Sequence, residues 1–297
     1  MSRLGGCGTA LVTPFTSDGA VDEPALRALV EWQVTEGIDF LVPCGSTGEA
    51  QTLSAAERVR VVSLVLETAR GRVPIMTGLS HNDTRQAVEE ARALSGLEVE
   101  WLLVSTPYYN KPTPEGLYQH FAAVADASAK PVCLYNVPGR TAVNLKPETV
   151  LRLAQHRNIV GIKESSGDLA QVQHLLAGRP DGFAVLSGED WMTLAIMAAG
   201  GDGLISVASN EIPQDMRALV HMASQGNLDD ARQLFYRVLP LLEANFLETN
   251  PAPVKAALAA MGRIQDVLRL PLVPLSESRR APLLAALNAA GVKLAAG

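Results

Sequence analysis

The sequence predicts an α/β protein: a (β/α)8 TIM barrel with a C-terminal helical appendage. Three observations lead there. Eight short runs rich in Val, Ile and Leu alternate with longer amphipathic stretches. Each run is apolar nearly throughout, as expected of parallel strands covered on both faces. The strand–helix repeat, roughly 25 to 30 residues long, fits a closed barrel better than an open sheet. A doubly wound sheet would share the periodicity, so the count of eight is the main support.

The predicted strands are 7–15 (CGTALVTPF), 40–45 (FLVPCG), 74–79 (PIMTGL), 101–106 (WLLVST), 131–136 (PVCLYN), 159–165 (IVGIKES), 184–189 (AVLSGE) and 203–209 (GLISVAS). Helices are expected between them. The stretch 54–69 opens on Ser54 with Glu57 three residues on, a capping box, and spaces Val59, Val62 and Leu66 on one face. The stretches 82–94 and 113–127 behave similarly, and 146–156 carries Pro147 in its first turn, where a missing N–H costs nothing. After the eighth strand the pattern is wholly helical, over 213–222, 227–247, 252–261 and 276–290. The barrel is therefore expected over 1–224 and the helical appendage over 225–297.

Composition narrows the function. The chain has 297 residues, 47% hydrophobic and 19% charged, enough to bury a sizeable core. A net charge of −6 argues against a general nucleic-acid binder, which needs a basic face. No apolar run reaches the roughly 18 residues of a membrane span. The "LGGC" of residues 4–7 lacks the apolar stretch that precedes a lipoprotein cleavage site. The expected compartment is the cytoplasm. Cys7, Cys44 and Cys133 lie apart in apolar runs and read as reduced core thiols. The five histidines form no HxH or HExxH, and neither GxxxxGK[ST] nor GxGxxG occurs. No metal and no cofactor is expected, so the chain's own side chains must carry any chemistry.

One lysine stands out. Of six lysines, Lys163 alone interrupts an apolar strand, near the end where barrel active sites are built. Burial disfavours a charged amine, and a neutral amine attacks carbonyl carbon. The readings are an imine-forming lysine, a phosphate-binding lysine or a structural ion pair. Glu164 is a poor partner, because adjacent strand residues face opposite ways.

Other strand ends add donors. In "GSTGE" (45–49), glycines bracket Ser46 and Thr47; the turn can present backbone N–H groups and hydroxyls to a carboxylate, or be a plain glycine turn. In "TPYYN" (106–110), Tyr109 can relay a proton or pack at an interface. In "LYNVPGRT" (134–141), Tyr135 faces the mouth beside Lys163, and Arg140 can hold a carboxylate bidentately or be a surface arginine. Gly188 in "LSGED" leaves room for close approach, and Ile205 in "GLISVASN" can supply a carbonyl or an apolar wall. One amine, two carboxylate-sized anion sites and several hydroxyls suit an enzyme joining a keto acid to a second acidic molecule.

These motifs carry a resemblance. Through "GTALVTPF", "GSTGEAQTLS", "TPYYNKPTPEGLYQHF", "LYNVPGRT", "GIKESSGD", "LSGED" and "TNPAPVKAALAAMG", the chain resembles the dihydrodipicolinate synthase family, within the N-acetylneuraminate lyase superfamily of class I aldolases. The resemblance implies condensation of pyruvate with L-aspartate 4-semialdehyde in the diaminopimelate route to lysine. It implies that Lys163 forms the imine and that Tyr135, Ser46 and Tyr109 relay protons, with Tyr109 reaching into a neighbouring subunit. It implies further that Thr47 binds the pyruvate carboxylate, Arg140 holds the aldehyde's carboxylate, and Gly188 and Ile205 line the pocket. The implied assembly is a homotetramer of two tight dimers acting on small molecules.

Two departures bear on this. Ser46 stands where the synthases usually have threonine, and serine there is common among neuraminate lyases. Arg140 argues the other way, since sugar-acid aldolases usually lack it. The alternative activities are cleavage of N-acetylneuraminate or of 2-keto-3-deoxy sugar acids; a non-catalytic acid binder would keep the loop and lose the imine. The second departure concerns feedback. Family members inhibited by lysine often carry histidines after the "STGE" loop and a glutamate after strand three. Here Ala55, Arg58 and Gln86 stand in those places, so weak or absent lysine inhibition is expected.

Overall fold

Eight parallel strands form one sheet whose first and last members meet. The computed structural model describes residues 3–295; residues 1–2 and 296–297, at the ends of the two predicted segments, lie outside the described residues. The strands are β1 (Gly6–Ala10), β2 (Phe40–Val42), β3 (Met76–Leu79), β4 (Trp101–Ser105), β5 (Val132–Asn136), β6 (Ile159–Glu164), β7 (Ala184–Ser187) and β8 (Gly203–Ser206). Their order is β2-β1-β8-β7-β6-β5-β4-β3. A parallel bridge between Leu41 and Ile75 brings β2 against β3, and Gly78 N–H donates to the Pro43 carbonyl at 3.0 Å. The result is a nearly closed TIM barrel, as the sequence predicts.

The helices are α1 (Glu23–Thr35), α2 (Ala55–Ala69), α3 (Thr84–Ser95), α4 (Pro114–Ala127), α5 (Pro138–Thr141), α6 (Pro147–Leu153), α7 (Leu169–Gly178), α8 (Thr193–Ala198), α9 (Pro213–Ser224), α10 (Leu228–Ala244), α11 (Ala252–Ala260) and α12 (Glu277–Ala289). Ser54 caps α2, and the Glu57 side chain returns to the Ser54 N–H, completing the predicted box. Asp22, Asp83, Thr113 and Asp168 cap α1, α3, α4 and α7 with their side-chain oxygens. No helix among the described residues is long and apolar enough to cross a membrane.

Every predicted strand is present, but most stop short of the predicted C-terminal end. β1 ends at Ala10 rather than residue 15, and β8 at Ser206 rather than 209. Past those points the apolar chain leaves the ladder to build the rim of the barrel mouth. A large hydrophobic cluster packs the helices onto the outside of the barrel. A second fills the interior, with Phe40, Met76, Trp101, Leu103, Tyr135, Leu186 and Ile205. Gly8 belongs to this filling, because a Cβ there would collide with the Phe40 ring. Cys7, Cys44 and Cys133 are buried free thiols, and burial pushes Cys44 and Cys133 up to about 12.

After β8, α9 packs on β1 and β8; α10 packs on α9 and α12, and α11 on α12. The links around these last helices return to the barrel mouth and supply part of its wall.

Candidate active site

Lys163 is the fifth of six residues in β6 and is only 6% exposed. It sits level with Tyr135 on β5 and Leu186 on β7. Its Nζ lies 4.3 Å from the centre of the Tyr135 ring. Among the described residues the one lysine in a salt bridge is Lys255, so Lys163 has no carboxylate partner. The structural ion-pair reading fails on geometry. The Glu164 carboxylate, on the other face of the strand, accepts from Asn136 Nδ2 at 3.0 and 3.2 Å, from the Ser166 N–H at 2.6 Å and from Gln171 Nε2 at 3.2 Å. Burial raises the Glu164 carboxyl, and these hydrogen bonds oppose the rise.

Lys163 faces a cavity of about 40 Å3 at the barrel mouth. Six of the eight predicted residues line it: Ser46, Thr47, Tyr135, Arg140, Lys163 and Gly188. Gly188 is required by close approach. A Cβ there would overlap Ser165 Oγ and lie 2.9 Å from Lys163 Cε and 3.0 Å from its Cγ.

The loop after β2 takes the shape its glycines permit. Gly48 N–H donates to the Gly45 carbonyl and Glu49 N–H to the Ser46 carbonyl, each at 3.1 Å. Cys44 and Glu49 adopt positive φ, 57° and 52°, which holds the turn tight on both sides. Among the described residues the N–H groups of Ser46 and Thr47 donate to no protein acceptor. Two adjacent backbone donors and two hydroxyls therefore stand at the cavity wall, the arrangement that captures a carboxylate.

Arg140 lies in the short helix α5, and its Nη2 donates to the Asn250 carbonyl at 3.0 Å. That bond aims the guanidinium at the mouth with donors to spare for a second carboxylate.

Two predicted residues stand apart from the cavity. Ile205 is fully buried in the interior cluster with Tyr135 and Leu186, and Val207, two residues on, lines the cavity instead. Tyr109 is 86% exposed and outside the cavity lining. Its φ of +71° is a strained backbone for tyrosine.

Glu189, Val207, Phe246 and Asn250 are among the further residues of the wall. Burial pushes the Glu189 carboxyl up to about 7, against the pull of Lys163. Glu189 directly follows Gly188 in "LSGED", and its proximity to a known candidate was the available signal. Asn250 opens the "NPAPVK" stretch and donates from Nδ2 to Thr47 Oγ1 at 2.9 Å. Behind the loop, Lys255 Nζ meets Glu49 Oε1 at 2.6 Å with both side chains at 0% exposure. A larger cavity, about 540 Å3, lies between α2 and α3 and is lined by Ala55, Arg58, His81 and Gln86 among others. It shares no lining residue with the Lys163 cavity, and the smaller cavity is the one with the chemistry.

Comparison with known proteins bears on the chain as a whole. The model of the dihydrodipicolinate synthetase family matches residues 3–290. The 4-hydroxy-tetrahydrodipicolinate synthase of Acidobacterium capsulatum is 56% identical over 282 residues, covering 94% of this chain and 93% of the relative. That of Koribacter versatilis is 53% identical, covering 95% and 94%. The crystal structure of dihydrodipicolinate synthase from Aquifex aeolicus superposes with a TM-score of 0.96 at 37% identity, covering 98% of this chain and 99% of that one. The Acinetobacter baumannii enzyme, solved in complex with pyruvate, gives a TM-score of 0.96 at 43% identity, covering 97% and 99%. With the family model and the barrel matched across nearly the whole length, the chain belongs to the dihydrodipicolinate synthetase family.

Proposed function

We propose that Lys163 is the amine through which this chain performs its reaction, the condensation of pyruvate with L-aspartate 4-semialdehyde. The chain is a lyase of the class I aldolase type, acting in diaminopimelate and lysine biosynthesis. One observation carries the assignment to Lys163. A buried lysine without a carboxylate partner faces a cavity walled by unpaired N–H groups, hydroxyls and a guanidinium.

The steps follow from the groups present. Pyruvate enters with its carboxylate on the Ser46 and Thr47 donors, which places its carbonyl carbon by Lys163 Nζ. Nζ attacks, the Tyr135 hydroxyl gives its proton to the departing oxygen, water leaves, and an imine forms. The imine draws electrons from the methyl group, so a proton is lost to the Tyr135 oxygen left deprotonated by that step, and an enamine results. The enamine carbon attacks the aldehyde carbon of the semialdehyde, whose carboxylate is held by Arg140. The new alkoxide takes a proton through the Tyr135, Ser46 and Tyr109 hydroxyls. The amino group of the semialdehyde then attacks the imine carbon, closes the ring and displaces Lys163. One water is released per turnover, and the lysine is regenerated.

In this reading Tyr109 serves the site of a neighbouring subunit. Its exposure of 86% and its strained backbone support that role. The assembly is a homotetramer of two tight dimers in the cytoplasm. Residues 1–224 form the catalytic barrel, and 225–297 form a helical domain that braces the barrel mouth. Gly188 and Ile205 shape the pocket, the second from beneath.

The test is intact mass after incubation with pyruvate and borohydride, in wild type and in Lys163→Ala. A pyruvate-sized adduct in wild type alone is expected. Its absence from wild type, or its persistence in the variant, removes Lys163 from the chemistry. Turnover of aspartate semialdehyde against N-acetylneuraminate cleavage then fixes the second substrate.

A further inference from the structure

We infer that Asn250 is a positioning residue for the keto acid: its side-chain amide turns the Thr47 hydroxyl proton into the cavity, toward the substrate carboxylate. The inference rests on the reading of the cavity given above.

Asn250 lies 203 residues after Thr47, in the link between α10 and α11. Both side chains are buried, each 4% exposed. A hydroxyl has one proton and two lone pairs. Asn250 Nδ2 donates to Thr47 Oγ1, so it occupies a lone pair and turns the O–H away from itself. The Thr47 hydroxyl makes no other side-chain hydrogen bond among the described residues. Its proton is free for a ligand on the cavity side.

The opposite amide orientation would have a different consequence. With Oδ1 toward Thr47, the hydroxyl would donate within the protein, and the incoming carboxylate would lose the Thr47 hydroxyl as a donor. The Nδ2 orientation leaves Asn250 Oδ1 buried without a donor, at a cost that a residue kept for stability alone has no reason to bear. The Asn250 carbonyl meanwhile accepts from Arg140. A single residue from outside the barrel thus touches the groups that meet each carboxylate, by its side chain for one and its backbone for the other. Substitution of the side chain separates the two.

Asn250→Asp is the decisive variant. An ionised aspartate accepts the Thr47 proton and sets a negative charge near the pyruvate carboxylate. The pyruvate KM at pH 8 is expected to rise about 30-fold or more, with kcat lowered less than about fivefold. The KM for the aldehyde changes little, because the carbonyl to Arg140 remains. A loss of packing would not confine the change to the pyruvate KM.

Asn250→Ala, expected to raise the pyruvate KM about tenfold, is combined with Thr47→Val. In the Thr47→Val background the alanine should add less than about twofold. The inference is overturned by an unchanged pyruvate KM in Asn250→Asp, or by additive effects of the alanine and valine substitutions. Borohydride trapping of pyruvate on the wild type is the control. Failure there overturns the Lys163 reading and the inference together; trapping with normal pyruvate saturation in Asn250→Asp overturns the inference alone.

Discussion

Replacing Lys255 by Met should destabilise the fold by breaking an ion pair sealed from water. Lys255 Nζ lies 2.6 Å from Glu49 Oε1, donates also to the Val267 carbonyl at 2.8 Å, and stands 4.2 Å from the centre of the Phe15 ring. Both charged side chains are at 0% exposure, so neither can turn to solvent when its partner is lost. Burial lowers the Lys255 ammonium from its ordinary value, and Glu49 pulls it back up. Removing one member of such a pair costs about 3 to 5 kcal/mol, mostly the penalty of an uncompensated buried charge. At about 2.1 cal/mol/K per residue, a chain of 297 residues has an unfolding entropy of roughly 0.6 kcal/mol/K. The melting temperature of Lys255→Met should therefore fall by about 5 to 8 °C.

The double variant Lys255→Met with Glu49→Gln separates charge from packing. Gln keeps an acceptor for the Arg269 N–H, which now donates to Glu49 Oε2 at 3.1 Å. Glu49 has φ of 52°, and Gln bears that backbone no worse than Glu. The double variant should regain at least about half of the lost melting temperature. Thermal unfolding followed by circular dichroism reads both. A fall of less than about 2 °C in the single variant would refute the reasoning, and so would a double variant no better than the single.

Other consequences follow from the same coordinates. Gly188→Ala pushes a methyl into the Lys163 stem and Ser165; displacing Nζ by about 1 Å should cost about 100-fold in kcat/KM, and a loss under about fivefold would show that Lys163 has room to move. Glu189, with its carboxyl pushed up to about 7 from 4.5, holds a proton in the folded chain that the unfolded chain has already lost. Stability contributed by this group therefore falls as pH rises from 4.5 to 7 and stays low above it. Glu189→Gln should melt higher than wild type at pH 8, by about 3 °C for roughly 2 kcal/mol after solvent screening, and at the wild-type temperature at pH 4; the same gap at both values refutes the ionisation. Millimolar lysine should leave the rate unchanged, because Arg58 lies in the α2–α3 cavity with Ala55 and Gln86, paired with Glu90 at 2.7 Å; strong inhibition would mean that Arg58 does not repel the ligand.

The barrel was legible because its strands are buried on both faces and so read as near-continuous apolar runs. Lys163 was legible by contrast with that background. Less accessible were features that depend on the tertiary return of the chain. Asn250 and Phe246 reach the cavity from links beside α10 and α11, across some 200 residues of sequence, and no local pattern announces a long-range contact. Asn250 carried a signal within the "NPAPVK" stretch, while Phe246 carried none. Ile205 was predicted on the right strand but faces the packed interior. Strand periodicity fixes which residues point inward, and the depth at which the packed core gives way to the cavity is set by tertiary structure. The helices α1, α7 and α8 were not singled out in the sequence, although the Asp22 and Asp168 caps mark two of them.

The two buried lysines show what makes such a residue chemical. Lys255, inside α11, looked unremarkable beside the strand lysine, yet it is the more deeply buried, at 0% against 6%. Burial by itself therefore does not distinguish them. The difference lies in their partners. Lys255 has a carboxylate and a carbonyl, which satisfy an ammonium and hold it charged in place. Lys163 has an aromatic ring, a glycine cleared for its stem and open space beyond its nitrogen. Its neighbour on the chain, Glu164, is tied to Asn136, Ser166 and Gln171 on the far side of the strand. Placing a carboxylate level with Lys163, as in Leu186→Glu on the neighbouring strand, should convert Lys163 into a second Lys255. The variant should fold, keep its buried lysine and trap no pyruvate with borohydride. If it traps pyruvate as wild type does, the lack of a carboxylate within salt-bridge distance is not what keeps Lys163 reactive, and the contrast between the two lysines has another cause.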